Sequence, residues 1–111
     1  MFIERAYVFK GMDKEFMEQV SEVVLEEAYS KGELLFQEGE PADFLYILQT
    51  GTVRIRLGHR GHLSHVVTKS GEAFGWASLL GRSTYSAGAE CITDAQIMKI
   101  GTEEINRIFE Q

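Results

Sequence analysis

The chain has 111 residues, 44% of them apolar, which suits one domain with one sizeable core and hardly two. A net charge of -6, with no block of Lys and Arg to offset it, repels nucleic-acid backbones and anionic membranes, so neither is expected as a partner. The single cysteine, Cys91, excludes an internal disulfide and fits a reducing compartment.

Eleven glycines and one proline, spread between short apolar runs, point to many tight turns and mostly strands. The longest apolar run, "FLYIL" at Phe44 to Leu48, is far too short to span a bilayer. The opening "MFIERAYVFKG" carries no secretory pattern, and a cytoplasmic location is expected.

Residues 1 to 12 read as an ambiguous lead-in. Asp13 is placed as an N-cap, with Glu15 in the first turn where the helix dipole favours an anion. Met12, Phe16, Val20 and Val23 recur at helical spacing and predict an amphipathic helix over 13 to 23. "VVLEEAYS" is extended or transitional. A short strand is predicted over Leu34 to Gln37, between Gly32 and a turn at Gly39-Glu40-Pro41. "DFLYILQTG" is a strand rich in aromatic and β-branched residues. "TVRIRLG" alternates, with Val53, Ile55 and Leu57 on one face and Arg54 and Arg56 on the other. "LSHVVTKSG" is its hairpin partner, with "GHRGH" at the tip.

"GEAFG" ends a further strand, and "WASLLG" has room for about one and a half helical turns. "TYSAGAECITD" and "AQIMKIG" are two more strands around a turn at Thr93-Asp94. In "TEEINRIFEQ" Thr102 is placed as a cap, Glu103 and Glu104 sit in the first turn, and Ile105, Ile108 and Phe109 form an apolar stripe. No repeat, linker or low-complexity segment interrupts this order. Seven or eight short strands between two helices predict an antiparallel roll or barrel whose interior can hold one small ligand.

The stretch "YSKGELLFQEGEPADFLYILQTGTVRIRL", followed by "SGEAFGWASLLG", resembles the cyclic nucleotide-binding domain. That family is the β-roll, a double-stranded β-helix or jelly roll, of catabolite-activator-type regulators and protein kinase A regulatory subunits. The residues carrying the resemblance are Gly32, Phe36, Gly39, Gly51, Gly71, Glu72, Phe74 and Gly75. It extends from Met12 to Gln111, so residues 1 to 111 are expected to be one such domain. Residues 102 to 111 would begin the family's C-terminal helix. The DNA-reading helix-turn-helix of the catabolite activators has no counterpart in these residues.

The resemblance implies a phosphate-binding cassette. In it, a short helix presents unpaired N–H groups and its positive end to the cyclic phosphate. An Arg adds a charge-assisted contact, and a Glu accepts from the ribose hydroxyl. Phe74 and Gly75 match this pattern, Ala77, Ser78, Leu79 and Leu80 fit the short helix, and Ser86 and Ala87 match the small pair near its end. The ribose Glu falls on Trp76, the Pro on Thr84, the phosphate Arg on Tyr85 and the usual Thr on Gly88. Losing both charged contacts removes about 3–6 kcal/mol, on the order of 10²–10⁴ in affinity.

The candidate ligand-contacting residues are therefore Phe74, Gly75, Trp76, Ala77, Ser78, Arg82, Tyr85, Ser86 and Ala87. Arg82 could replace the missing guanidinium, or simply face solvent or pair with a nearby Glu. Trp76 is a stacking platform or a lid; Tyr85 offers a hydroxyl or fills the space of the missing Arg. Ser83 and Thr84 suit turn chemistry, whereas Ser86 stands at the mouth of the roll.

No metal or other cofactor is expected. His59, His62 and His65 are three apart, which does not place them on one face of a strand, and they read as a polar tip rather than a zinc site. Cys91 has no evident base beside it and reads as a structural thiol. No nucleophile elbow or phosphate loop occurs, so an enzyme is not expected. The substitutions favour a regulatory, ligand-sensing module that does not take cyclic AMP or cyclic GMP in the usual way. Two alternatives stay open: a genuine receptor using backbone amides, Arg82 and Ser86, and a protein-interaction domain with a self-filled pocket. A small-molecule ligand and a protein partner are each compatible with these readings.

Overall fold

The structure is a computed structural model that describes residues 14–57, 63–75, 77 and 82–109. The helical repeat forms α1 (Lys14–Val23), which buries Met17 and Val20, with Phe16 and Val23 packed beside them. The expected stripe omitted Met17, which lies three residues before Val20 and so shares its face. Met12 and Asp13, the proposed cap, lie outside the described residues.

The eight strands among the described residues are β1 (Leu25–Tyr29), β2 (Leu34–Phe36), β3 (Phe44–Thr50), β4 (Val53–Leu57), β5 (Leu63–Val67), β6 (Ala73–Phe74), β7 (Ala87–Cys91) and β8 (Ala95–Gly101). Helix α2 (Thr102–Phe109) follows. The transitional stretch "VVLEEAYS" resolves into a helix end and a strand. Val24 donates back to the Val20 carbonyl, and β1 then pairs antiparallel with β8 from Leu25 to Tyr29. The strand expected over Leu34 to Gln37 stops at Phe36, because the Gln37 N–H turns to the Glu40 carboxylate at 2.6 Å. "TYS" is not strand: Thr84 makes only an isolated bridge with Pro41, and β7 starts at Ala87.

Two four-stranded antiparallel sheets result, in the orders β1-β8-β3-β6 and β2-β7-β4-β5. The predicted hairpin of β4 and β5 forms in the register Val53↔Val67, Ile55↔His65 and Leu57↔Leu63. Its tip, with His59 and His62, lies outside the described residues.

Strand β3 explains why "FLYIL" is apolar without a break. Tyr46 and Leu48 face the roll interior with Phe36, Val53, Val67 and Phe74, while Leu45 and Ile47 face the helices with Val20 and Ile105. A strand covered on both faces loses the alternation that marks a half-exposed one. Strand β8 divides in the same way, Ala95 and Ile97 inward, Met98 and Ile100 toward the helices. The first sheet is thus a middle layer between the roll interior and α1 with α2.

Two local features hold the ends. Gly51 has φ +101°, and a Cβ there would stand 2.5 Å from the Asp94 carbonyl oxygen, so the β3–β4 corner sits directly on the β7–β8 corner. Thr102, expected to cap α2, donates its hydroxyl to the Ala42 carbonyl and its N–H to the Asp43 carbonyl. Ile105 and Ile108 of the predicted stripe are buried.

Candidate functional site

The site is built on the segment from Gly71 to Ala87. Phe74 ends β6 with its ring inside the roll, and Gly75 turns the chain at φ +78°. A side chain at Gly75 would meet the Tyr46 ring at 3.1 Å. Trp76 and Ser78, two of the candidate ligand contacts, lie outside the described residues, as does most of the expected helical turn. Ala77 is buried, and its carbonyl accepts from the Arg82 N–H at 3.0 Å.

Residues 83 to 85 are held against the loop of residues 39 to 42. Ala42 donates to the Ser83 carbonyl, Tyr85 to the Glu40 carbonyl and Gly39 to the Tyr85 carbonyl, each at 2.9 Å. This clamp turns the Tyr85 ring into the roll, where it is 4% exposed and stacks on Phe36 at 3.9 Å between centroids. Phe36 also stacks on Tyr46, and Tyr46 on Phe74. The Tyr85 hydroxyl donates to the Phe44 carbonyl at 2.7 Å and accepts from the Phe44 N–H at 3.1 Å. Burial pushes the Tyr85 and Tyr46 hydroxyls above the usual phenol range, so both rings are neutral at physiological pH.

Beside this stack opens a cleft of about 510 Å³, a volume typical of small-molecule sites. Its carbon walls are Ile55, Val67, Phe74, Ala77 and Ala87, and its floor is Phe36 with Tyr85. Polar groups gather around it: His65, Glu72, Arg82 and Ser86. His65 Nε2 lies 3.1 Å from Glu72 Oε2. Arg82 and Ser86 are exposed. Of the candidate contacts read from sequence, Phe74, Gly75, Ala77, Arg82, Tyr85, Ser86 and Ala87 come together on this one cleft.

Six lining residues were not among those candidates: Phe36, Ile55, His65, Val67, Glu72 and Ala73. Ile55 and Val67 lie on the inward face that alternation marks, but only the hairpin register brings them to the cleft. His65 is the cross-strand partner of Ile55 within β5 and not part of the tip to which it was assigned. Glu72 was read as a turn marker of the family pattern, and nothing local signals its pairing with His65.

Cys91 is buried, and burial pushes its thiol up to about 11. Among the described residues no group of three His, Cys, Asp or Glu side chains is placed to hold a metal ion. No described helix is long and apolar enough to cross a membrane.

A two-sheet roll carrying an apolar cleft defines a class of domain that can hold one small ligand. The family model described as the cyclic nucleotide-binding domain matches residues 26–111, and the chain belongs to that family. It is 27% identical over 107 residues to the cAMP-dependent protein kinase regulatory subunit of Candida albicans, covering 96% of this chain and 23% of that protein. The chain spans about a quarter or less of the length of the first curated relatives it matches. The regulatory domain of Toxoplasma gondii PKA, solved with cAMP, superposes with a TM-score of 0.83 at 19% identity, over 97% of this chain and 42% of that one. The sensor domain of the transcriptional regulator DNR from Pseudomonas aeruginosa gives 0.81 at 21% identity, over 99% and 75%. These superpositions establish the shared fold.

Proposed function

We propose that this chain is a non-enzymatic regulatory module that senses a small molecule in the cleft and does not seat cyclic AMP or cyclic GMP in the family's usual manner. The observation that carries the reading is the Tyr85 hydroxyl. At the position where the family resemblance expects a guanidinium, a neutral phenol spends its donor and one acceptor site on the Phe44 backbone. A phosphate diester entering at that depth would meet no positive charge, and an uncompensated buried anion is costly. The open cleft of about 510 Å³ supports a ligand-sensing role over a roll filled by its own side chains.

The non-enzymatic part of the reading is supported by the cleft chemistry. Among its described residues the titratable groups are the His65–Glu72 pair, Arg82 and a phenol held neutral by burial. Cys91, the one thiol, is buried away from the cleft lining. The module would pass its signal to a protein partner, in an aqueous, reducing compartment such as the cytoplasm.

Titration calorimetry with cyclic AMP and cyclic GMP tests the proposal. No saturable heat is expected at micromolar ligand, and dissociation constants in the micromolar range or tighter would overturn it. The receptor alternative has one observation in its favour, since Arg82 and Ser86 both line the cleft. It requires that any such binding be abolished by Arg82→Ala.

A further inference from the structure

We infer that the cleft takes a small amphipathic monoanion: a compact hydrocarbon or aromatic body bearing one carboxylate-type group, with the body inside and the anion at the mouth beside Arg82. The inference rests on the reading above, that the cleft is a ligand site not tuned to cyclic nucleotides.

The depth of the cleft admits carbon and little else. Ile55, Val67, Ala77 and Ala87 offer only carbon side chains, and Phe36 and Tyr85 offer ring faces. The polar atom of that floor, the Tyr85 hydroxyl, is already bonded to the Phe44 backbone. A hydroxylated sugar or the polar edge of a purine would lose its water there and gain nothing in return. A hydrocarbon body gains from every part it buries.

The mouth decides the charge. His65 Nε2 and Glu72 Oε2 lie 3.1 Å apart, so the Glu72 carboxylate has a partner within the cleft wall. Arg82 forms no ion pair with any described residue, so its guanidinium is the cation on the cleft that is free to meet a ligand's anion. Its planar fork suits a planar carboxylate, and the exposed Ser86 hydroxyl on the same cleft can donate a further hydrogen bond. The chain's net charge of -6 works against ligands carrying several negative charges, which leaves a monoanion as the best match.

Two fluorescent probes with the same body test this. 8-Anilinonaphthalene-1-sulfonate carries one negative charge, and N-phenyl-1-naphthylamine carries none. Each is titrated into the wild-type chain, Arg82→Ala and Ser86→Glu, with thermal melting to confirm that both exposed-site variants remain folded. One saturable site is expected for each probe. Each variant should weaken the sulfonate by about threefold to tenfold, a modest factor because water screens the mouth, and leave the neutral probe unchanged. 1-Naphthoate should displace the sulfonate probe, and 1-naphthalenemethanol at equal concentration should not. Absence of a saturable site, or equal effects on both probes, or an unchanged sulfonate affinity in Arg82→Ala, overturns the inference while leaving the reading of the cleft intact. Displacement of the sulfonate by micromolar cyclic AMP would instead bring down that reading, and the inference with it.

Discussion

The hydroxyl of Tyr85 and the backbone of Phe44 exchange two hydrogen bonds, one to the carbonyl at 2.7 Å and one from the amide at 3.1 Å. A side chain from the cleft segment thereby ties down the start of the strand that forms the middle of the protein. Tyr85→Phe keeps the stack on Phe36 and leaves both backbone groups of Phe44 without this partner. It should cost about 1–3 kcal/mol in urea unfolding. Tyr85→Arg should cost more, on the order of 3–5 kcal/mol, because a guanidinium would be desolvated within an aromatic stack. Equal stability of the wild type and Tyr85→Phe would show that the paired bonds contribute nothing net.

Gly75 and Gly51 separate two kinds of backbone constraint. Both have positive φ, but a Cβ at Gly75 meets the edge of the Tyr46 ring at 3.1 Å, which a side chain can relieve. A Cβ at Gly51 meets the Asp94 carbonyl oxygen at 2.5 Å, which only a backbone shift can relieve. Gly75→Ala should cost about 1–2 kcal/mol, and Gly51→Ala more than about 3 kcal/mol or the fold itself. Thermal melting that ranks them in the opposite order would contradict the close approach of the two corners.

Alkaline pH should destabilise the protein, and the sign follows from burial. The Cys91 thiol is raised from 9.0 to about 11, so the folded chain keeps a proton that the unfolded chain has released. Its contribution to stability is complete below about pH 9 and is lost as pH rises toward about 11. Burial raises the hydroxyls of Tyr29, Tyr46 and Tyr85 as well, which extends the loss further upward. Urea midpoints between about pH 8 and pH 10.5 should fall, less steeply in Cys91→Ala. Native Cys91 should also react with a thiol reagent only as fast as the protein opens. Prompt labelling of the native state at about pH 8 would show that the thiol is accessible.

Lys99 joins two kinds of contact. Its Nζ lies 3.0 Å from Glu27 Oε1 and 4.2 Å from the centre of the Phe44 ring. The Tyr29 hydroxyl, and then Lys99, hold the Glu27 carboxyl below its usual range, so its contribution is present at neutral pH and lost as pH falls through that lowered value. Because the Glu27 side chain is 39% exposed, Glu27→Gln should cost less than about 1 kcal/mol and flatten the acid limb. Lys99→Ala should cost about 1–2 kcal/mol, since it also uncovers the Phe44 ring. Lys99→Met should recover most of that loss; failure to do so in urea unfolding would assign the effect to charge.

Much of the architecture is legible because local physics repeats it. The alternation at Val53, Ile55 and Leu57 marks β4, the helical spacing of Ile105 and Ile108 marks α2, and the turn glycines punctuate the strands. Strand β1 was legible only as an extended or transitional stretch. "LEEAY" has no buried face of its own, and it is a strand because β8 offers it an edge far away in sequence.

The cleft shows the same division. The family resemblance named Phe74, Gly75, Arg82, Tyr85, Ser86 and Ala87 as candidate ligand contacts, and they line one cleft because they lie in one short segment. What Tyr85 does there was left open by chain order, because its partners Phe36 and Phe44 come from other strands. The pairing of His65 with Glu72 depends likewise on the hairpin register. By itself the sequence determined the helices, most of the strands and the family, because hydrophobic period and turn chemistry act between neighbours in the chain. Only the tertiary structure decided where a hydroxyl finds its partner and which charge goes unmatched, because hydrogen bonds and ion pairs depend on distances in space.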